Sequence, residues 1–469
     1  MKPDSQSGLA IEQRRDFLLG GNLPKAIWFL AWPVLIQMFL HLMVQTADMK
    51  MVGALGAKAV AAVGMATQLI MVMSICAMGV STGVTAIVSR YYGKGDYRGA
   101  VLATAQALLL ALIFAGAIML LSFSLAGLML DWMGAEAAVK PMALAYMQII
   151  SAGILFFIGR FLLWAVFQGV GDNRTPLYLD ILANVINITG NYIFIFGWGP
   201  VPPFGASGAA MGTVLALTTS ASLAFLLIRQ RAFPEKTAWR ELFRYNPEIM
   251  KGILHIGAPA ALQQVIQAGA NSLILGLVAR TAGASYSISA YSVGLLIFQY
   301  AFFPAAAVGR AASTLVGVNL GSANLQRAHR SGWSCAGFGA LFIGFLSLNI
   351  YIFAPSLIGF FVDDPLVIAT GVPLVRTLAV VEPLHATGMI LSRAFYVAGE
   401  TRIPFTASLL SWLLLRVPLA WFLAFYLGME APGIWYAIAA SQVLAAVIQI
   451  ICYQKKIGFK EDALAVPLE

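Results

Sequence analysis

Two stripes of polar side chains set into apolar sequence carry the first chemical signal. Gln37, His41, Gln45 and Asp48 recur at i, i+4, i+8 and i+11, and Asp180, Asn184, Asn187 and Asn191 at i, i+4, i+7 and i+11. Both spacings put the set on one face of a helix. An ionisable side chain in a membrane span costs roughly 2.5–3.5 kcal/mol on insertion scales, which makes it a functional candidate by default. A carboxylate whose access to water changes, such as that of Asp48, can load and release a proton. The same carboxylate with the amide oxygens of Asn187 and Asn191 could instead supply the hard oxygen ligands that sodium prefers to nitrogen or sulfur. The residues leave both readings open. Asp180 also has a structural reading, because it follows Thr175-Pro176: Thr175 suits an N-cap, Pro176 the first helical position, and an early acid the helix dipole.

The second half of the chain carries different groups: Gln263, Gln264 and Gln267, then Glu382 and His385, and Arg416. Glu382 precedes Pro383, which opens backbone and marks either a cavity-facing acid or a kink. Glu382, His385, Gln264 and Gln267 form a possible second site. Trp164, Phe167, Tyr291, Phe298, Tyr300 and Phe302 could offer aromatic faces to flat cations or serve as packing. The three cysteines, Cys76, Cys335 and Cys452, lack metal-ligand spacing and read as packing residues. No metal is expected beyond a sodium ion at Asp48, Asn187 and Asn191, and no cofactor.

These residues must be positioned by membrane helices. Of 469 residues, 60% are hydrophobic and 10% charged, against about a quarter charged in soluble domains. Apolar stretches such as Ala26–Thr46, Val101–Leu130, Ile253–Ala279 and Trp435–Tyr453 are each long enough to cross about 30 Å of hydrocarbon as a helix. They lack the alternation of a barrel. The expectation is an all-α integral membrane protein of about twelve spans, among them 25–47, 177–197, 206–228, 366–392 and 404–427. The net charge of +9 is distributed as an orientation signal and not as a nucleic-acid footprint. Arg14, Arg15, Lys25, Arg90, Lys94, Arg98, Arg174, the run from Arg229 to Lys251, Arg327, Arg330, Arg402, Lys455, Lys456 and Lys460 fall on one side. By the positive-inside rule both termini are cytoplasmic, in a multi-pass protein of the plasma (inner) membrane. Met1–Gly21 is polar and has no signal-peptide pattern.

An internal repeat divides the chain. Phe167-Gln-Gly-Val-Gly-Asp-Asn-Arg-Thr-Pro176 aligns with Phe395-Tyr-Val-Ala-Gly-Glu-Thr-Arg-Ile-Pro404 at an offset of 395 − 167 = 228 residues, and the same offset pairs Gly93, Asp96 and Ala100 with Gly321, Asn324 and Ala328. Six spans separate repeated positions, an even number, so two like-oriented six-helix lobes are expected. The predicted organisation is a cytoplasmic segment 1–24, an N-lobe 25–228, a cytoplasmic linker 229–250, a C-lobe 251–453 and a cytoplasmic tail 454–469. Duplicated bundles of this kind suit alternating access, although channels and membrane-embedded enzymes can share them.

The chain resembles the multidrug and toxic compound extrusion (MATE) family over nearly its whole length. The resemblance rests on Asp48 followed by Met51-Val-Gly-Ala-Leu-Gly56, the Gly93–Ala100 loop, Gln168-Gly-Val-Gly-Asp172, and Asn187-Ile-Thr-Gly-Asn191 leading into Ile193-Phe-Ile-Phe-Gly197. It implies a monomeric secondary transporter, not an enzyme, that exports organic, often cationic, compounds in exchange for H+ or Na+. The first-helix acid of the family corresponds to Asp48, its fifth-helix polar pair to Asn187 and Asn191, and its sixth-helix Thr to Thr213 after Gly212. Some branches carry an Asp where this chain has Asn191, and an acid on the seventh helix where it has only glutamines. The competing readings are a flippase for lipid-linked sugars from the same superfamily, which wants a cationic cavity, a membrane-embedded enzyme, for which only Asp363-Asp364 are adjacent acids, and a channel.

Overall fold

A computed structural model of the chain describes residues 4–233, 245–456 and 459. Most of the expected basic linker, with Lys236, Arg240 and Arg244, and most of the tail, with Lys460, lie outside the described residues. Described residues within Met1–Asp16 and Trp32–Gly257 form one compact unit, and those within Phe17–Ala31 and Ala258–Glu469 a second. The first unit holds the start of helix α1 (Asp4–Gly20), most of α2 (Leu23–Gly53), α3 (Ala57–Lys94), α4 (Tyr97–Trp132), α5 (Lys140–Ala152), α6 (Ile154–Gly169), α7 (Arg174–Phe196) and α8 (Ala206–Arg231). The second holds most of α9 (Pro247–Val278), then α10 (Ala284–Ala301), α11 (Phe303–Gly321), α12 (Leu325–Ile352), α13 (Ala354–Gly359), α14 (Pro365–Val397), α15 (Arg402–Ser408), α16 (Arg416–Trp421) and α17 (Glu430–Gln454). Two π-helical stretches, Leu409–Leu415 and Phe422–Tyr426, flank α16.

Among the described residues, ten helical segments are long and apolar enough to cross a membrane, and the number of spans reaches twelve when each of two bent helix pairs is counted as one. The bends are new relative to the sequence reading. Helices α5 and α6 meet at 52° and α10 and α11 at 43°. At the first bend a Cβ on Gly153 would come within 2.8 Å of both methyls of Val214, so glycine allows α8 to approach the break. At the second, Pro304 sits in the first turn of α11, where its ring and missing N–H prevent α10 from continuing. Pro33, Pro259, Pro373 and Pro383 lie inside helices that run on through them.

The 228-residue repeat has a local physical cause: its matched segments end and restart helices in the same way. Gly171 and Gly399 both have left-handed φ, 72° and 81°. The following N–H reaches back six-to-one in each case, from Asp172 to Phe167 O (2.8 Å) and from Glu400 to Phe395 O (3.0 Å), closing a Schellman-type cap. In the other repeated loop, Asp96 and Asn324 cap α4 and α12 by accepting from Gly99 N (2.8 Å) and Arg327 N (3.0 Å). The residue before each cap is again left-handed, Gly95 (φ 80°) and, at the equivalent position, Ala323 (φ 59°). A Cβ opposes that conformation by roughly 1–2 kcal/mol. Ala323→Gly is therefore expected to raise stability by about 1 kcal/mol, read as a higher unfolding midpoint in detergent.

The polar start of the chain is not a bare tail. Helix α1 buries Ile11 and Leu18, and the Arg15 guanidinium donates to Tyr92 O (3.2 Å) and Gly93 O (2.9 Å). A cation thus satisfies the last carbonyls of α3, at the negative end of its dipole. Arg14 lies 3.6 Å from Asp172.

Candidate functional site

In the first unit, one hydrogen-bond chain ties three helices together. Asn191 Nδ2 on α7 donates to Asp48 Oδ1 on α2 (2.7 Å) and to Asn187 Oδ1 one turn away (3.3 Å). Asn187 Nδ2 donates to Thr213 Oγ1 on α8 (3.2 Å), and the Thr213 hydroxyl donates to Ala209 O (2.9 Å). Asn191 is 0% exposed and Asn187 is buried, whereas Asp48 is half-buried. The donors diverge from Asn191: one bond runs to the Asp48 carboxylate, and the others run through Asn187 and Thr213 to the Ala209 carbonyl. Tyr146, on α5, interacts electrostatically with Asp48 and hydrogen-bonds Thr67, so a tyrosine absent from the sequence reading belongs to the same neighbourhood.

Small residues hold this chain in place. A Cβ on Gly212 would land on Asn191 Oδ1 and lie 2.7 Å from the Asn191 backbone nitrogen. One on Gly208 would strike the Phe194 carbonyl. Helices α7 and α8 therefore pass with their backbones nearly touching, the geometry that glycine permits in membrane bundles. The close approach presses the Asn191 side chain against α8, leaving its Oδ1 buried and without a hydrogen-bond donor.

The two polar stripes do not act as units. On α2, Gln37 is buried and donates to Asn173 O (3.1 Å), while His41 and Gln45 are exposed and bond each other (3.1 Å), so only Asp48 joins the chain. On α7, Asn187 and Asn191 join it and half-buried Asn184 does not. Asp180 has partners of its own: it forms an ion pair with Arg160 of α6 and accepts from Trp164 Nε1 (3.2 Å), with the guanidinium 5.0 Å above the Trp164 ring. Arg160, a lone cation in the run Phe156–Trp164, was visible in the sequence and escaped the reading. The expected capping by Thr175 is corrected. Helix α7 begins at Arg174, and the cap is Asp172, which accepts from Thr175 N (3.1 Å) and the Thr175 hydroxyl (2.8 Å). The capping acid lies three residues earlier, as an Asp followed by a short turn allows. Removing one member of a buried ion pair costs roughly 3–5 kcal/mol. Arg160 keeps a quarter of its side chain exposed, so Asp180→Ala is expected to cost about 3 kcal/mol, measured as a lower unfolding midpoint in detergent.

The second unit is chemically different. Glu382 is buried, with His385 Nδ1 3.4 Å from its Oε1, and the His385 ring stacks on Phe302 at 5.9 Å. Of the three glutamines, Gln263 is the one drawn into a network: it donates to Ser408 Oγ (2.6 Å) and accepts from the Tyr396 hydroxyl (2.7 Å). Gln264 and Gln267 stay half-buried outside it. Phe167, Tyr291 and Phe298 are buried packing residues. The cysteines are free: Cys335 buried, Cys452 half-buried, Cys76 exposed.

Comparison with known proteins gives the site its context. The family model described as MatE matches residues 33–193 and 259–422, ranges that include Asp48, Asn187, Asn191, Glu382 and Arg416. The chain is 24% identical over 449 residues to "Uncharacterized transporter YisQ" of Bacillus subtilis, covering 93% of this chain and 95% of that one. It is 25% identical over 437 residues to "Probable multidrug resistance protein NorM" of Thermotoga maritima, covering 92% of each. Among solved structures, one described as "MATE in the bent conformation" superposes with a TM-score of 0.88 at 23% identity, covering 96% of this chain and 99% of that one.

Proposed function

The chain belongs to the MatE family of multidrug and toxic compound extrusion transporters, and on that premise we propose that it is a secondary antiporter exporting small organic, cationic or amphipathic compounds in exchange for protons or sodium. It works as a monomer in the plasma (inner) membrane, by alternating access between two lobes of six spans, 25–228 and 251–453, with both termini cytoplasmic. The observation that carries this reading is the hydrogen-bond chain Thr213–Asn187–Asn191–Asp48, in which a membrane-span carboxylate accepts from the buried Asn191 amide.

The hydrogen bond from Asn191 to Asp48 supports a coupling mechanism. The ionised Asp48 carboxylate accepts a charge-assisted bond from Asn191, a class worth roughly 1.5–3 kcal/mol. A proton on Asp48 removes that charge and weakens the link between α2 and α7, so ion loading and helix packing bias one another. Export follows if the substrate favours the unprotonated arrangement. The same geometry favours the proton over sodium. The Asn187 oxygen is committed to Asn191, and the Asn191 oxygen faces Gly212. Sodium loading would need at least one amide to turn over to present oxygen, and protonation needs no turn. Glu382 and His385, with Gln264 and Gln267 on the neighbouring span, are the corresponding candidates in the second lobe.

Ethidium accumulation in everted vesicles under a pH gradient, a sodium gradient, or neither tests the proposal. Accumulation is expected with the pH gradient and is expected to stop when both gradients are collapsed. Accumulation that proceeds with neither gradient would sink antiport, and accumulation with sodium alone would overturn the proton assignment.

A further inference from the structure

Arg416 is buried in the second unit without a countercharge. It is 2% exposed and opens α16 directly after the π-helical stretch Leu409–Leu415, with its backbone N–H bonded to Ser411 O across a π turn. Such turns are rare and recur at functional sites. Its Nε donates to Ser441 Oγ on α17 (2.7 Å), its Nη1 donates to Asn271 Oδ1 on α9 (3.3 Å), and its guanidinium lies 3.7 Å above the Trp412 ring. All of these partners are neutral. No carboxylate pairs with it among the described residues, and the buried acid of this unit, Glu382, is bonded to His385.

Two donors remain unused. Arg416 Nη2 is buried and has no hydrogen-bond partner, and the same is true of Trp435 Nε1 on α17. Trp435 stacks on Tyr291 with ring centroids 5.8 Å apart and planes within 5°. The contact with Trp412 covers the face of the guanidinium and leaves the in-plane N–H groups available, so it does not replace a hydrogen bond. A buried cation with an unused donor and without an acid has an anion as its chemical complement.

We propose that Arg416 Nη2 holds a small monovalent anion of the halide class inside the second unit, with Ser441, Asn271 and Trp412 fixing the guanidinium that binds it. The ligand carries one negative charge because the site supplies one positive charge. It is small because Nη2 is enclosed, and a phosphate or diphosphate would bring uncompensated charge. The bound anion supplies the countercharge that the surrounding side chains lack and makes the stability of the protein depend on halide.

The test uses the full-length protein purified in detergent, with chloride replaced by gluconate at constant ionic strength. The wild-type unfolding midpoint is expected to rise saturably with chloride and with bromide, as ligand linkage requires. Arg416→Gln is expected to weaken that response by at least about tenfold, the loss that follows from removing a hydrogen bond to a charged group. Crystals of the wild type grown or soaked in bromide provide a second readout that needs no variant: an anomalous peak within hydrogen-bonding distance of Arg416 Nη2 is expected. Equal wild-type midpoints in chloride and gluconate, or bromide-soaked crystals without a peak at Arg416, overturn the proposal. Stabilisation by benzoate but not by halides also overturns it, since the site would then belong to an organic carboxylate.

Discussion

Asp48→Asn is expected to abolish ion-driven export while leaving the protein folded. The substituted amide keeps an oxygen that accepts from Asn191 Nδ2, so the geometric link between α2 and α7, 2.7 Å in the wild type, can persist. What disappears is the titratable group and the charge-assisted strength of the bond, roughly 1.5–3 kcal/mol, which corresponds to about tenfold or more in any rate that depends on it. Ethidium export from cells expressing the variant is the measurement, with the amount of protein in the membrane and the unfolding midpoint as controls. A loss of at least about tenfold at unchanged expression is expected, and export at the wild-type rate would remove Asp48 from the coupling role.

Gly212→Ala should have a comparable effect through packing alone. The added methyl meets Asn191 Oδ1 and the backbone of α7, not the free end of a flexible chain. Helix α7 or α8 must therefore move. Overpacking of this kind costs roughly 1–3 kcal/mol, and any retreat of α7 carries Asn191 away from Asp48 and Asn187 away from Thr213. Export is expected to fall by about tenfold or more, because the charge-assisted bond is broken by displacement, and the unfolding midpoint should fall as well. Gly116 provides the control: a Cβ there meets nothing within 4 Å, and Gly116→Ala should behave as wild type. Equal export by the two glycine variants would show that the spacing of α7 and α8 does not govern the site.

The twelve spans were legible because hydropathy follows directly from the solvent, and a stretch of about twenty apolar residues admits few other folds. The two bends were not. They depend on Gly153 fitting against Val214 and on Pro304 starting a new helix, and glycine and proline occur at many other positions where the helix continues, including Pro33 and Pro259. Helical spacing placed Asp48, Asn187 and Asn191 on two faces, but it could not show that Gln45 turns to His41 or that Asn184 stays outside the chain, since those outcomes depend on neighbouring helices. Asp180 illustrates the limit most clearly: its own sequence neighbours suggested a cap, and the residues that occupy it, Arg160 and Trp164, lie on another helix. The repeat was readable from Gly, acid, Arg and Pro matches because those residues terminate and restart helices. Its chemical divergence was partly readable too: Asp180 has Ser408 as its counterpart, and Arg160 and Trp164 have Gly388 and Ser392, so the second unit lacks the ion pair and bonds Ser408 to Gln263 instead.

The central claim is that substrate and ion movements are linked through Asp48, and linkage between binding sites is reciprocal. Proteoliposomes with no imposed gradient and a trapped pH dye test it most directly, because addition of an ethidium gradient should drive protons in the opposite direction. A substrate-driven pH change is expected with the wild type and none with Asp48→Asn. A pH change of the same size with both proteins, or ethidium movement by the wild type without any accompanying ion flux, would contradict the claim.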